Sequence, residues 1–133
     1  MTLEGGCLCG ALRYRCTVAP VDTGYCHCRL CQRSTGAPAL AWASVPVEHF
    51  VYTAGEPTCY ASSPHGRREF CNVCGTQIAF REQTDATLVD LNVGSLDDPT
   101  AAPPRRHVWV SSRIPWFDTA DALPRHAEGE DGV

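Results

Sequence analysis

Gly6-Cys7-Leu8-Cys9-Gly10 and Phe70-Cys71-Asn72-Val73-Cys74-Gly75-Thr76 are two short cysteine knuckles, with Cys9 and Cys71 62 positions apart. Two cysteines from each make a closed four-sulfur set, the donor count of a structural zinc site. Zinc–sulfur bonds of about 2.3 Å put tetrahedral sulfurs about 3.8 Å apart, whereas i and i+2 side chains on a flat strand are separated by about 6.6 Å of rise. The Cys7-Leu8-Cys9 pair therefore needs a bent backbone, and we expect Gly5, Gly6 and Gly10 to permit it. Gly75 permits a tight turn after Cys74. A shared ion would clamp the first strand to the middle of the chain. In a small β domain its free energy, about 10–16 kcal/mol in zinc peptides, would be a large part of folding.

A third cluster, Cys26-His27-Cys28-Arg29-Leu30-Cys31, offers three sulfurs. Three protein ligands leave one position for water or substrate, the arrangement of catalytic sites. Alternatives stay open: all seven cysteines could share one cluster, or a histidine could supply a fourth ligand. His27 should point away from its cysteine neighbours, and His107 could reach the cup from a distant strand or be an ordinary core or surface histidine. Three thiolates on Zn²⁺ leave a charge of −1, which weakens Lewis acidity and suits a thiol ligand. Arg29 and Arg33 could offset that charge or simply be solvated.

The nine cysteines are an odd number in a chain of 133 residues, and Cys7/Cys9 spacing is poor disulfide geometry. With no signal-like start and no apolar run of membrane length, we expect a cytoplasmic protein whose clustered thiols bind metal. The formal charge is −4. Seven thiolates against two Zn²⁺ add a net −3 to it, so the metal-loaded form stands at −7. That argues against a nucleic-acid surface.

The length fits one domain, expected over residues 1–124, with 125–133 a polar, flexible tail. The pattern is mainly β with little helix. Strands are predicted at Ala11 to Cys16, Leu40 to Val45, Phe50 to Thr53, Thr58 to Ala61, Gln77 to Arg81, Thr87 to Val93 and His107 to Val110. Leu12, Tyr14 and Cys16 share one face, and Val89, Leu91 and Val93 oppose Leu88, Asp90 and Asn92. Arg29 to Ser34 reads as a short helix and Asp97-Asp98-Pro99 as a turn or helical start. Cys16 and Cys59 are expected as core or half-buried thiols, and Asp90, Asp97 and Asp98 as turn or strand-surface residues. Trp42, Trp109, Trp116, Tyr14, Tyr25, Phe50 and Phe117 are expected in the core or a pocket wall, with Trp116 and Phe117 as candidates to line a cleft.

The cysteine motifs, together with Gln32-Arg33-Ser34-Thr35-Gly36-Ala37, Asn92-Val93-Gly94-Ser95-Leu96-Asp97-Asp98, His107-Val108-Trp109 through Ile114-Pro115-Trp116 and Leu123-Pro124, resemble the GFA family in order over residues 5 to 124. That family is named for the glutathione-dependent formaldehyde-activating enzyme and includes the centromere protein V domain. The resemblance implies a β-tent of small antiparallel sheets with two zinc ions per chain. Cys7, Cys9, Cys71 and Cys74 would hold a structural zinc, and Cys26, Cys28 and Cys31 a catalytic one. It implies a carbon–sulfur lyase that joins glutathione and formaldehyde to S-hydroxymethylglutathione. Chemistry on another thiol or aldehyde, or a zinc-stabilised binding module without turnover, are the alternatives. Arg33, Arg67 and Arg68 are candidates for glutathione carboxylates, with Arg67 and Arg68 read as surface charge in preference.

Overall fold

The computed structural model describes residues 1–129. Its strands and one helix follow in the order β1 (Leu3–Gly6), β2 (Arg13–Cys16), β3 (Asp22–Cys26), α1 (Arg29–Thr35), β4 (Leu40–Pro46), β5 (Phe50–Ala54), β6 (Thr58–Ala61), β7 (Gly66–Phe70), β8 (Gln77–Glu82), β9 (Asp85–Asn92) and β10 (His107–Val108). The mainly β expectation holds. The runs at Leu40, Phe50, Thr58, Gln77 and Thr87 are all strands, and α1 falls where the short helix was predicted. Strands β1, β3 and β7 carry no clean alternation, since Gly, Thr, Asp and Arg dominate them, and sequence reasoning missed them.

The strands form two sheets. The smaller has the order β1-β2-β5, and the larger β10-β3-β4-β9-β8-β7-β6. Neighbours are antiparallel throughout, except that β10 lies parallel to β3. Between the sheets lies one apolar core. Leu3, Leu12, Tyr14 and Cys16 enter it from the small sheet, and Ala43, Val45, Ile78, Val89 and Leu91 from the large one. The period-2 faces read at Leu12/Tyr14/Cys16 and Val89/Leu91/Val93 are the ones buried.

The opposite face of the large sheet is equally ordered. Antiparallel register places Asp22 beside Ser44, Ser44 beside Asp90, Asp90 beside Phe80 and Phe80 beside Arg68, one row across five strands. This row lines a cavity instead of facing bulk water.

Arg125 to Gly129 depart from the expected loose tail. His126 donates its backbone N–H to His107, and the backbone N–H groups of Trp109, Val110 and Ser111 donate to Glu128, His126 and Ala127. A polar segment can be ordered this way because backbone pairing needs no apolar side chain. Residues 130–133 of that tail lie outside the described residues. No helix among the described residues is long and apolar enough to cross a membrane.

Gly5 is a strand residue held by a close approach rather than a hinge for the knuckle. A Cβ there would stand 2.4 Å from both the Ser95 carbonyl oxygen and the Tyr14 hydroxyl. The same Tyr14 hydroxyl forms a 2.8 Å hydrogen bond with the Ser95 side chain, Tyr14 Oη to Ser95 Oγ. Gly5→Ala should therefore cost about 1–3 kcal/mol. A urea unfolding curve of the variant, shifted to lower midpoint with unchanged slope, is the expected result.

Candidate functional site

The β1–β2 turn carries Cys7 and Cys9, and the β7–β8 turn carries Cys71 and Cys74. Their four sulfurs lie within 4.8 Å of one another. Cys9 Sγ is 3.6 Å from Cys7 Sγ and 3.8 Å from Cys71 Sγ, the spacing of sulfurs around one tetrahedral ion. The two knuckles are built alike. Cys7 N–H donates to Leu12 O, and Cys71 N–H to Thr76 O. Gly10 and Gly75 follow the second cysteine of each at φ 83° and 81°, values open to glycine without strain. Backbone N–H groups of Leu12 and Val73 point at Cys7 Sγ and Cys71 Sγ. The Thr76 hydroxyl and N–H, with a backbone hydrogen bond at Cys9, hold Cys74 down at about 5. These contacts stabilise thiolates, the form a metal takes.

Cys26 ends β3, Cys28 caps α1 and Cys31 lies in the helix's first turn. Their sulfurs also lie within 4.8 Å of one another. Cys28 Sγ accepts the Cys31 N–H at 3.3 Å, so the residue that caps the helix also completes the cup. Cys26 and Cys31 are 8% exposed. Hydrogen bonds from Cys26 and then Cys31 hold Cys28 down at about 2. The Cys26 thiol is pushed far up by its hydrogen bonds with Cys28 and Cys31 and by burial. Three crowded sulfurs thus resist joint ionisation, and a divalent cation is what would allow it. All nine cysteines are free thiols. Both clusters fit a thiophilic metal ion, and they are separate sets rather than one seven-sulfur cluster.

Neither histidine joins the cup. His27 points away from its cysteine neighbours, as its position between them predicts. His27 Nε2 and His107 Nδ1 are 2.8 Å apart, and His107 Nε2 meets Asp121 at 3.1 Å. With the Asp121 carboxylate accepting from Nε2–H, His107 Nδ1 accepts from His27 Nε2–H. Asp121 is held down to about 2, first by the Thr119 hydroxyl and also by His107. Both rings are buried, and Tyr25 stacks on His107 at 4.9 Å. Gln32, also buried, bonds the carbonyls of His27 and Ser112, which locks α1 to the closing segment.

All three cup cysteines line a cavity of about 1020 Å³, ample for a small organic ligand. Leu40, Trp42 and Ser44 of β4 face Leu88, Asp90 and Asn92 of β9 in its wall, and Trp109 closes one side. Asp90 is a cavity residue rather than a surface one. Burial pushes its carboxyl up, opposed by the Ser44 hydroxyl that donates to it.

Arg68 overturns the surface reading. It is 6% exposed and lies 4.8 Å over the Phe80 ring, with Nη2 4.0 Å from Cys31 Sγ. It therefore takes the charge-offsetting place expected of Arg29 or Arg33. Arg29 is exposed at the cavity rim, and Arg33 faces solvent. Arg67 is half-buried and bonds the Ser63 and Gly66 carbonyls. Cys16 is a core thiol, but Cys59 is exposed. Trp116 is 76% exposed and is not among the residues lining the sulfur-cup cavity, while Phe117 packs against His27. Asp97 pairs with Arg13, and Asp98 caps the turn Pro99–Ala101, as turn residues should.

The family described as "Glutathione-dependent formaldehyde-activating enzyme" (GFA) matches residues 2–112. The chain belongs to the GFA family. It is 27% identical over 128 residues to a Halomonas elongata protein that carries the provisional name of a glutathione-dependent formaldehyde-activating enzyme. That alignment covers 89% of this chain and 81% of the relative. The fold is similar to a crystal structure of a Rhodobacter sphaeroides protein, with a TM-score of 0.56 and 23% identity over 71% of this chain and 87% of that one. The GFA motifs thus coincide here with two compact sulfur sets on one β scaffold.

His107→Ala removes the centre of the His27–His107–Asp121 chain and should cost on the order of 3 kcal/mol through the cavity and the unpaired His27 nitrogen. The expected result is a lower urea midpoint with metal content per folded chain unchanged. Loss of one metal equivalent would instead make His107 a ligand.

Proposed function

We propose that this protein is a zinc-dependent carbon–sulfur lyase that joins glutathione and formaldehyde to S-hydroxymethylglutathione, and catalyses the reverse cleavage. The observation that carries this reading is the contrast between the two sulfur sets. Four sulfurs close one set. The other has three, and all three line the large cavity.

Cys7, Cys9, Cys71 and Cys74 would hold a structural zinc, and Cys26, Cys28 and Cys31 a catalytic one. Zinc bound in the cup would supply an electrophilic centre that favours a thiol as thiolate or polarises an aldehyde oxygen. The chain's own residues do the rest. Cys28 Sγ is favoured as thiolate by hydrogen bonds from Cys26 and Cys31 and by the Cys31 N–H. Trp42 and Trp109 pack with the cup cysteines and give the reacting carbon an apolar wall. Asp90 and Asn92 give the cavity polar groups for the peptide-like part of a thiol substrate. We place this action in the cytoplasm, where clustered thiols stay reduced and available to a metal.

Metal analysis tests the partition. The purified protein should carry two zinc ions per chain and a Cys28→Ala variant one, with its fold retained. One ion in both would remove the cup from the metal sites. Activity needs a separate measurement, because thiols and aldehydes combine without a catalyst. Exchange between formaldehyde, glutathione and their adduct, followed by NMR, should exceed the spontaneous rate with wild type and return to it with Cys28→Ala. An unchanged rate with wild type would refute the lyase reading.

A further inference from the structure

Arg68 is a buried cation whose hydrogen-bonding capacity is only partly used. Nε donates to Ser62 Oγ at 3.1 Å, and the guanidinium stacks on Phe80. Nη2 faces Cys31 Sγ. Nη1 is buried and has no hydrogen-bond partner. Leaving a buried donor on a charged group unpaired is costly. The side chain lines the same cavity as the three cup sulfurs. Its neighbours across the sheet, Phe80 and Tyr60, are aromatic, so no carboxylate sits in register beside it to take the free donor.

We infer that Arg68 is an oxyanion-binding catalytic residue, whose Nη1 hydrogen-bonds the anionic oxygen of the thiol–aldehyde adduct at the mouth of the sulfur cup. This rests on the lyase reading. In the forward direction the thiolate sulfur forms a bond to the aldehyde carbon, and the carbonyl π pair moves onto oxygen. The thiol proton leaves to solvent, and the oxygen takes a proton back from solvent to give the hydroxymethyl thioether. Arg68 transfers no proton and acts as a fixed hydrogen-bond donor. It stabilises the alkoxide stage by a charge-assisted hydrogen bond.

Distance selects this role over anchoring a glutathione carboxylate. Arg68 touches the cup itself through Cys31. The adduct oxygen is two bonds from the reacting sulfur, whereas the glutathione carboxylates lie at the far ends of the peptide. A residue this close to the cup meets the reacting oxygen first.

The test compares wild type, Arg68→Gln and Arg68→Lys as zinc-loaded proteins. Calorimetric titration uses mercaptoacetate, whose anionic oxygen is close to its sulfur, against neutral 2-mercaptoethanol. Wild type should bind mercaptoacetate at least about tenfold better relative to 2-mercaptoethanol. Arg68→Gln should abolish that preference and Arg68→Lys keep part of it, because a point charge remains. Glutathione affinity should stay within about threefold in both variants, while the adduct exchange rate falls about 100-fold in Arg68→Gln. Equal preference in wild type and Arg68→Gln would overturn the proposal. So would a tenfold loss of glutathione affinity, which would make Arg68 a carboxylate anchor, or loss of one zinc equivalent, which would make it a support for the cup. If wild type shows the mercaptoacetate preference but no catalysis, the lyase reading fails and the anion site at Arg68 stands.

Discussion

Cys9 and Cys71, 62 residues apart, bring their sulfurs to 3.8 Å. Crowding four thiols at that spacing is unfavourable unless their charge is met, and backbone N–H groups and the Thr76 hydroxyl meet part of it. The contact joins the turn between β1 and β2 to the turn between β7 and β8, and so ties the small sheet to the large one. Cys7 and Cys71 are also members of the apolar core. The junction and the core therefore depend on each other: the clamp sets the approach of the sheets, and the buried side chains fill the space it defines. In a domain of this size such a cross-link matters, because a small core alone leaves a narrow stability margin.

That clamp frees the outer face of the large sheet for another use. Strands β4 and β9 bury Ala43, Val45, Val89 and Leu91 on one side and present Trp42, Ser44, Asp90 and Asn92 to the cavity on the other. One sheet is thus both the floor of the core and the wall of the site. Rigid strands carry the wall, and Cys26 at the end of β3 joins it directly to the cup. The cup is fixed from the outside as well. Gln32 ties α1 to the closing segment, and the His27–His107–Asp121 chain fastens β3 to β10. The polar C-terminal stretch reaches this layer through backbone hydrogen bonds, which is why its composition gave no hint of order.

Charge follows the same division. The closed set is served by short-range dipoles from its own turns. The open set has a full cation, Arg68, within reach of Cys31. Phe80 supports that cation through its ring face, and the cup supplies the negative charge that makes burial of a guanidinium tolerable.

The cysteine spacings and their glycines were enough to separate the two sulfur sets, because ligand crowding and turn geometry are local constraints written within a few residues. Period-2 patterning was likewise enough for the buried faces of β2 and β9. It could not reach β1, β3 and β7, where glycine, threonine and charged residues hide the alternation, nor the ordering of Arg125 to Gly129. Gly5 was legible as glycine, but its reason, the Ser95 carbonyl pressed against it, comes from a segment ninety positions away. Arg68 is the sharpest case. In Gly66-Arg67-Arg68-Glu69-Phe70 it reads like its neighbour, and only antiparallel register puts Arg68 over Phe80 and beside Cys31 while Arg67 turns to local carbonyls. The sequence by itself determined which donors are present and how they group. The tertiary structure decided which charges are buried with them, because burial and long-range partners are properties of strand register and not of any local run of residues.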